Sequence, residues 1–199
     1  MKTFTKLDPE IVALLCCPLC KAPLRRQADS FTCNTCRSCY PAIDTGAAGR
    51  VYDFRIHRPS FARPASFQKW LHIQSLYERW SEEGAKRDDP EEYRAEIDSV
   101  KEIYTHEFHL AGNVLDVGGH QGRLRHYLAD QEVPLYISVD PFINVFDHAA
   151  GKSNLLAAYS CLSKPCNFLS CHAEHLPFMP DSFDWVHMRS VLDHFEDPW

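Results

Sequence analysis

Apolar positions change their spacing along this chain, and each change marks a new kind of element. In residues 7–54 they come in short runs between turn residues, Phe31-Thr32 and Tyr40-Pro-Ala-Ile43 among them. That pattern predicts a ribbon of short strands, too small to hold together by apolar burial alone. His57 to Ser66 shows no period and carries two prolines, so it reads as a linker. Phe67, Trp70, Ile73, Leu76, Tyr77 and Trp80 then recur at three- and four-residue steps, the stripe of an amphipathic helix. A second helix opens at Asp89-Pro90-Glu91-Glu92, with an N-cap, a first-turn proline and two carboxylates at the positive end of the dipole. Its apolar face is Tyr93, Ile97, Val100 and Tyr104. These aromatics are first of all core residues, though both helices are placed to roof a pocket.

From Asn113 the pattern becomes strand, glycine turn, helix, strand. Val114 to Val117 is an apolar strand, Arg123 to Asp130 a helix, and Leu135 to Val139 a second strand ending at Asp140. Further strands are expected around Asn167 to Cys171 and Phe183 to Met188. Such alternation implies an α/β fold, a Rossmann-like parallel sheet with covering helices. The resulting division is 1–56 ribbon, 57–66 linker, 67–110 helical segment and 111–199 parallel sheet.

With 199 residues the chain has room for one ordinary domain and a small one. The apolar run Ile11 to Cys17 is far shorter than the roughly 20 residues a membrane span needs, so no membrane segment or secretion signal is expected, and the cytoplasm is the expected compartment. Net charge is −6, unevenly placed: residues 1–58 hold nine Lys/Arg against five Asp/Glu, leaving twelve against twenty-two for the rest. A polyanion would meet the front end first.

Nine cysteines are an odd count, and their paired spacing favours reduced thiols and a metal over disulfides. Cys17-x2-Cys20-x12-Cys33-x2-Cys36 supplies two knuckles, each offering half of a tetrahedral zinc shell. Four ligands leave no open position, so the zinc ion is expected to be structural. Cys16 and Cys39 remain alternatives on spacing, since Cys36-Arg-Ser-Cys39 is also an x2 pair. The run from Cys17 to Leu24 and Tyr40-Pro-Ala-Ile-Asp44 resemble the short zinc-ribbon proteins that partner, or are fused to, methyltransferases. In that family Tyr-Pro follows the second knuckle, which supports Cys36 over Cys39.

Gly118, Gly119 and Gly122 permit close approach of a ligand to the turn after the first strand, with Asp116 two residues before them. Asp140 closes the next strand, where a carboxylate accepts hydrogen bonds from both ribose hydroxyls. Val117 stands where Gly-x-Gly-x-x-Gly requires its first glycine, which weighs against a nicotinamide dinucleotide. Ala173-Glu-His-Leu-Pro-Phe178 and the segment from Asp181-Ser-Phe-Asp to Leu192-Asp-His194 follow. At these positions residues 110–199 resemble class I S-adenosylmethionine-dependent methyltransferases.

The resemblance implies S-adenosyl-L-methionine as cofactor beside the Zn(2+) of the ribbon. The Gly118 to Gly122 turn would hold its methionine end with Asp116 supporting the loop, Asp140 would take the ribose, His172 and Ala173 would border the adenine, and the backbone near Arg189 would close the methionine side. Two residues depart from the family pattern. His120 stands in place of its middle glycine, and His172 in place of the aspartate that receives the adenine amino group; a neutral imidazole still accepts one hydrogen bond. The class ordinarily continues for several more strands, so the resemblance also implies a sheet truncated after its fourth strand, with a missing C-terminal segment or a partner protein beside it.

Methyl transfer needs alignment and desolvation, and a base only when the nucleophile starts protonated. No catalytic residue is identified from the sequence: His187, Asp193 and His194 lie at the expected mouth of the pocket but read as helix-capping or packing residues. The leading expectation is transfer to a small-molecule acceptor. An rRNA or tRNA methyltransferase is the weaker enzyme alternative, favoured by the basic ribbon and opposed by the acidic remainder. A non-catalytic zinc-ribbon adaptor built on a degenerate methyltransferase fold is the third reading.

Overall fold

The computed structural model describes residues 4–46, 49–57, 65–84, 86–147 and 149–197. Most of the expected linker, residues 58–64, lies outside the described residues. The elements run β1 (Thr5–Lys6), α1 (Pro9–Leu14), β2 (Leu24–Arg26), β3 (Ser30–Cys33), β4 (Cys39–Asp44), β5 (Arg50–Asp53), α2 (Ala65–Gly84), α3 (Pro90–Glu102), β6 (Asn113–Val117), β7 (Leu135–Asp140), α4 (Ser153–Ala158), β8 (Cys166–Ser170) and β9 (Trp185–Met188). Short 3-10 turns join several of them.

Strands β6 to β9 are the four expected parallel strands, in the order β8-β7-β6-β9. Their sequences show why. β8 is buried along its whole length and β7 over all but its first residue, so both are covered on two faces and read as nearly unbroken apolar runs. β9 is the edge, and Trp185, Val186 and Met188 on it are exposed.

The ribbon does not stand apart from this sheet. β2, β3 and β4 form the expected antiparallel meander, but β4 also pairs with β5, and β5 pairs parallel with β8 through Tyr52↔Leu169 and Asp53↔Ser170. β1 lies along the lower half of that same β8 edge, Thr5 opposite Cys166. Among the described residues nine strands therefore make one sheet, which crosses the boundary that spacing places near residue 56. One apolar cluster spans the join: Ile11, Cys17, Phe31 and Phe54 from the front of the chain pack with Leu115, Ile137 and Leu169. The opposite face carries a second cluster, including Phe4, Val114, Leu124, Phe146 and Phe168.

The helical segment follows its sequence signals closely at α3, where the Asp89 side chain accepts from Glu91 N at 2.9 Å. At α2 the buried positions are Phe67, Trp70 and Gln74, while Trp80 at the end of the expected stripe is 61% exposed. Gln74 earns burial through a hydrogen bond, its amide donating to His194 O at 2.6 Å. The helix expected over 123–130 is a single 3-10 turn, Arg123–His126. Gly122 enters it left-handed, and its carbonyl is drawn to the Arg125 side chain, whose Nε donates to it at 3.1 Å. With its first carbonyl diverted and β7 beginning at Leu135, the segment closes in tight turns instead. No helix among the described residues is long and apolar enough to cross a membrane.

Phe54 is fully buried at the join, its ring stacked on Tyr40 at 4.8 Å and tilted against Phe31 at 5.6 Å. Phe54→Ala is expected to cost ~3–5 kcal/mol. Because ribbon and sheet share this core, urea unfolding followed by tryptophan fluorescence and by far-UV circular dichroism should shift together as one transition.

Candidate functional site

The chain order reverses at β6. Its successor β7 lies on one side and β9 on the other, so the carboxyl ends of β6 and β9 flank a topological switch point, where open α/β sheets bind ligands. The turn out of β6 is built for close approach. Gly118 has φ +68°, donates to Val139 O at 2.8 Å, and a Cβ there would overlap Val191. At Gly119 a Cβ would overlap the Asp116 carboxyl and lie 2.6 Å from Ser138 Oγ. His120 follows in the left-handed region, φ +50°, held by its N–H to Asp140 Oδ2 (3.1 Å) and its carbonyl, which accepts from Ser138 Oγ (2.9 Å). Gly122 serves packing instead: a Cβ on it would lie 2.9 Å from Cys166 Sγ, and it lines neither cavity described below.

Two cavities open from this turn and share the rim Gly118, His120, Arg189 and Ser190. The first, about 180 Å³, brings Asp140 together with His172, Ala173 and Arg189, and α2 covers it with Trp70 and Gln74. Asp140 accepts from His120 N and, through Oδ1, from Phe142 N at 2.9 Å. Burial outweighs those two donors and pushes its carboxyl up to about 7. His172 presents its ring edge-on to Trp70 at 5.1 Å, and burial, with the Arg55 guanidinium beside it, lowers its imidazole to about 4, so it is neutral at physiological pH. Arg55 is itself locked in a two-pronged pair with the buried Asp53 and donates to Pro141 O at 3.1 Å, bracing the wall behind Asp140.

The second cavity, about 360 Å³, lies between the β6/β9 ends and helix α3. The parallel register sets Asp116 opposite His187. Asp116 Oδ1 lies 2.7 Å from His187 Nδ1, Asp116 Oδ2 accepts from the buried Tyr136 hydroxyl, and His187 Nε2 lies 2.6 Å from Tyr104 Oη. His187 is thus a strand residue in a polar chain rather than a helix cap, a placing that comes from its register with Asp116. Of its neighbours, His194 does pack, its ring stacked on Tyr77 at 3.8 Å, and Asp193 is exposed. Asp116, expected to support the glycine loop, spends both oxygens on Tyr136 and His187.

At the other end of the molecule Cys17, Cys20, Cys33 and Cys36 bring their four sulfurs within 4.8 Å of one another. Cys17–Cys36 and Cys20–Cys33 are each 3.5 Å apart, near the ~3.8 Å edge of a thiolate tetrahedron around zinc with ~2.3 Å bonds. Cys16 and Cys39 fall outside the group. The Tyr40 hydroxyl lies 3.2 Å from Cys17 Sγ, bringing the tyrosine of the Tyr-Pro pair to the cluster. The first knuckle also grips the chain just after Ala173 and Glu174 of the smaller cavity: Cys16 N donates to Pro177 O (2.9 Å) and Lys21 Nζ to Leu176 O (2.8 Å).

A family described as a methyltransferase domain matches residues 115–199, the stretch that begins inside β6 and contains the glycine turn, Asp140, His172 and the β9 edge. The switch-point crevice is thus built in part from the stretch that matches a methyltransferase domain, on the Rossmann-like fold expected for one. The comparison with curated proteins returned no match.

Replacing Cys17 and Cys33 together by serine is expected to abolish stoichiometric zinc, measured by atomic absorption on protein purified without chelator. Full retention of zinc by that variant would reassign the ligands.

Proposed function

We propose that the protein is an S-adenosyl-L-methionine-dependent methyltransferase of the cytoplasm acting on a small-molecule acceptor, with a structural zinc ion bound by Cys17, Cys20, Cys33 and Cys36. The observation that carries the reading is the placing of Asp140 with Gly118, the first residue of the glycine turn, in one crevice at the switch point. Asp140 fits a ribose. Its oxygens each have a lone pair left after the two backbone donors, and a vicinal diol supplies the hydroxyls that a buried carboxylate lacks. The turn also offers its backbone to an amino-acid tail, because Gly118 lines both cavities and Gly119 the larger one.

When bound, the cofactor supplies an electrophilic methyl group on a sulfonium. The chain's own residues do the rest. Asp140 fixes the sugar, the neutral His172 accepts or donates one hydrogen bond at the base, and Trp70, Gln74 and Phe195 cover the nucleoside cavity against water. The larger cavity on the other side of the rim supports a compact acceptor over RNA, as does the acidic balance of the chain behind its basic ribbon. The zinc ion contributes folding energy to the ribbon.

Calorimetry with S-adenosylhomocysteine tests the reading. Micromolar binding is expected, weakened roughly 10- to 100-fold in Asp140→Ala for the loss of about 1.5–3 kcal/mol of charge-assisted hydrogen bonding. Ribose hydroxyls bind the carboxylate form, so affinity must fall as pH drops through the Asp140 value near 7, by about tenfold from one unit above to one unit below. His172 stays neutral across that window, and Asp140→Asn should flatten the profile. No binding by a folded, zinc-loaded chain would favour the adaptor reading.

A further inference from the structure

We propose that Tyr104, His187 and Asp116 form a proton relay for a hydroxyl-bearing, aromatic-sized acceptor bound in the 360 Å³ cavity, with Tyr104 as the catalytic residue that touches the acceptor. His187 and Asp116 are positioning residues behind it. The proposal rests on the methyltransferase reading above and names the substrate class of that site.

The direction of the relay follows from its hydrogen bonds. Asp116 is a carboxylate with a phenol on one oxygen, so its other oxygen takes a proton from His187 Nδ1. With the proton on Nδ1, Nε2 is the acceptor, 2.6 Å from the Tyr104 oxygen, which donates to it. The arrangement is the one in which a hydroxyl is made a better base by an imidazole oriented by a carboxylate. Tyr104 Oη also meets the Arg189 guanidinium, which leaves it one lone pair for a proton arriving from the cavity side.

Three features separate this chain from ordinary packing. First, the polypeptide bends to make it. Helix α3 widens into a π-turn over Ile103–Glu107, with Phe108 N bonded to Ile103 O at 3.0 Å, and Tyr104 is the second residue of that turn. Such insertions disrupt regular helix hydrogen bonding and collect at functional sites. Second, Tyr104, His187 and Asp116 all line the same cavity, which begins at the rim shared with the nucleoside side. Third, Tyr127, stacked beside Tyr104 at 4.9 Å and lining that cavity, has a buried hydroxyl with no hydrogen-bond partner among the described residues, a cost of about 1–3 kcal/mol that an acceptor's polar atom would remove. The cavity has twice the volume of the nucleoside side, with room for a ring beside the amino-acid end of the cofactor. Arg189 at the rim carries positive charge toward the oxygen as it loses its proton.

The step balances. The acceptor's O–H bond breaks and its proton passes to Tyr104 Oη while the Tyr104 proton moves to His187 Nε2. The oxygen's electron pair forms the new O–CH3 bond as the C–S bond breaks, its pair remaining on a neutral thioether sulfur. The imidazolium faces the Asp116 carboxylate and later returns its proton through Tyr104 to water.

The test pairs two probes of one shape, 4-methylphenol and 4-methylbenzenethiol, offered with S-adenosylmethionine about two pH units below the ionisation of the phenol. The thiol is then largely ionised and needs no base; the phenol does. Wild type is expected to methylate both. Tyr104→Phe keeps the ring stacked on Tyr127 and should lose phenol methylation by ~100-fold or more while thiol methylation changes by less than about threefold; His187→Gln should split the two probes the same way. Apart from activity, 15N spectra of the His187 ring should show an Nδ1–H tautomer with Nε2 accepting, and Tyr104→Phe should move the Nε2 signal. Equal losses for both probes, no loss for either, or an Nε2–H tautomer would overturn the relay. Methylation of neither probe by a wild type that binds S-adenosylhomocysteine would overturn the acceptor class. Absence of that binding would instead remove the methyltransferase reading on which the relay depends.

Discussion

The pairing of β5 with β8 is the constraint on which the rest of the molecule depends. Two residues, Tyr52 and Asp53, carry it in register with Leu169 and Ser170, and Phe54 N extends it to Ser170 O at 2.7 Å. Through that edge the cysteine-rich front end becomes part of the sheet that bears the ligand cavities. The consequences reach the cavity walls directly. Arg55, one step beyond the pairing, holds Pro141 O next to Asp140, and the first cysteine knuckle holds Leu176 and Pro177 just past Ala173. The position of the first knuckle is therefore coupled to the wall of the smaller cavity.

The two aspartates of the crevice illustrate how environment divides similar groups. Both are buried near the carboxyl ends of adjacent parallel strands. Asp116 is met by a phenol and an imidazole, so its oxygens are spoken for by side chains. Asp140 is met only by backbone N–H groups, and burial drives its carboxyl up to about 7. Holding Asp140 ionised above that pH thus strains the unliganded protein by an amount on the order of 4 kcal/mol, one pKa unit being about 1.4 kcal/mol. Hydroxyl donors relieve that strain. Asp140 thus lines the smaller cavity, and Asp116 the larger.

Local signals in the sequence located what is local in the structure. The apolar run into glycines located β6 and its turn, Asp89-Pro90 located the start of α3, and the x2 spacing located the sulfur cluster, because each rests on neighbours within a few residues. What stayed hidden is non-local. Nothing around Arg50–Asp53 announces a strand whose partner is more than a hundred residues away, and Ile11 to Cys17 reads as an apolar run without revealing that α1 and Cys17 join the main core. Gln74 broke an apolar stripe and still went inside, because its partner is a carbonyl at His194. His187, at the end of an expected strand, reads in sequence as a residue that caps or packs the next helix; only the parallel register with Asp116 gives it another role. Good helix formers at 123–130 lost to a glycine in a left-handed turn and a carbonyl claimed by Arg125.

The two histidines that depart from the methyltransferase pattern now bear on binding in a defined way. A non-glycine residue at φ +50° is strained, but His120 contributes the N–H that orients Asp140 and the carbonyl that fixes Ser138, so its backbone is pinned on both sides of the peptide. His172 carries no charge into the nucleoside cavity, because burial and Arg55 keep its imidazole neutral down to a pH of about 4. An aspartate in its place would face that same guanidinium and bring a second negative charge toward Asp140, whose carboxyl already sits high. A neutral ring trades one acceptor for the removal of that repulsion. With a neutral ring at position 172, Asp140 and Glu174 are the only carboxylate residues lining that cavity among the described residues.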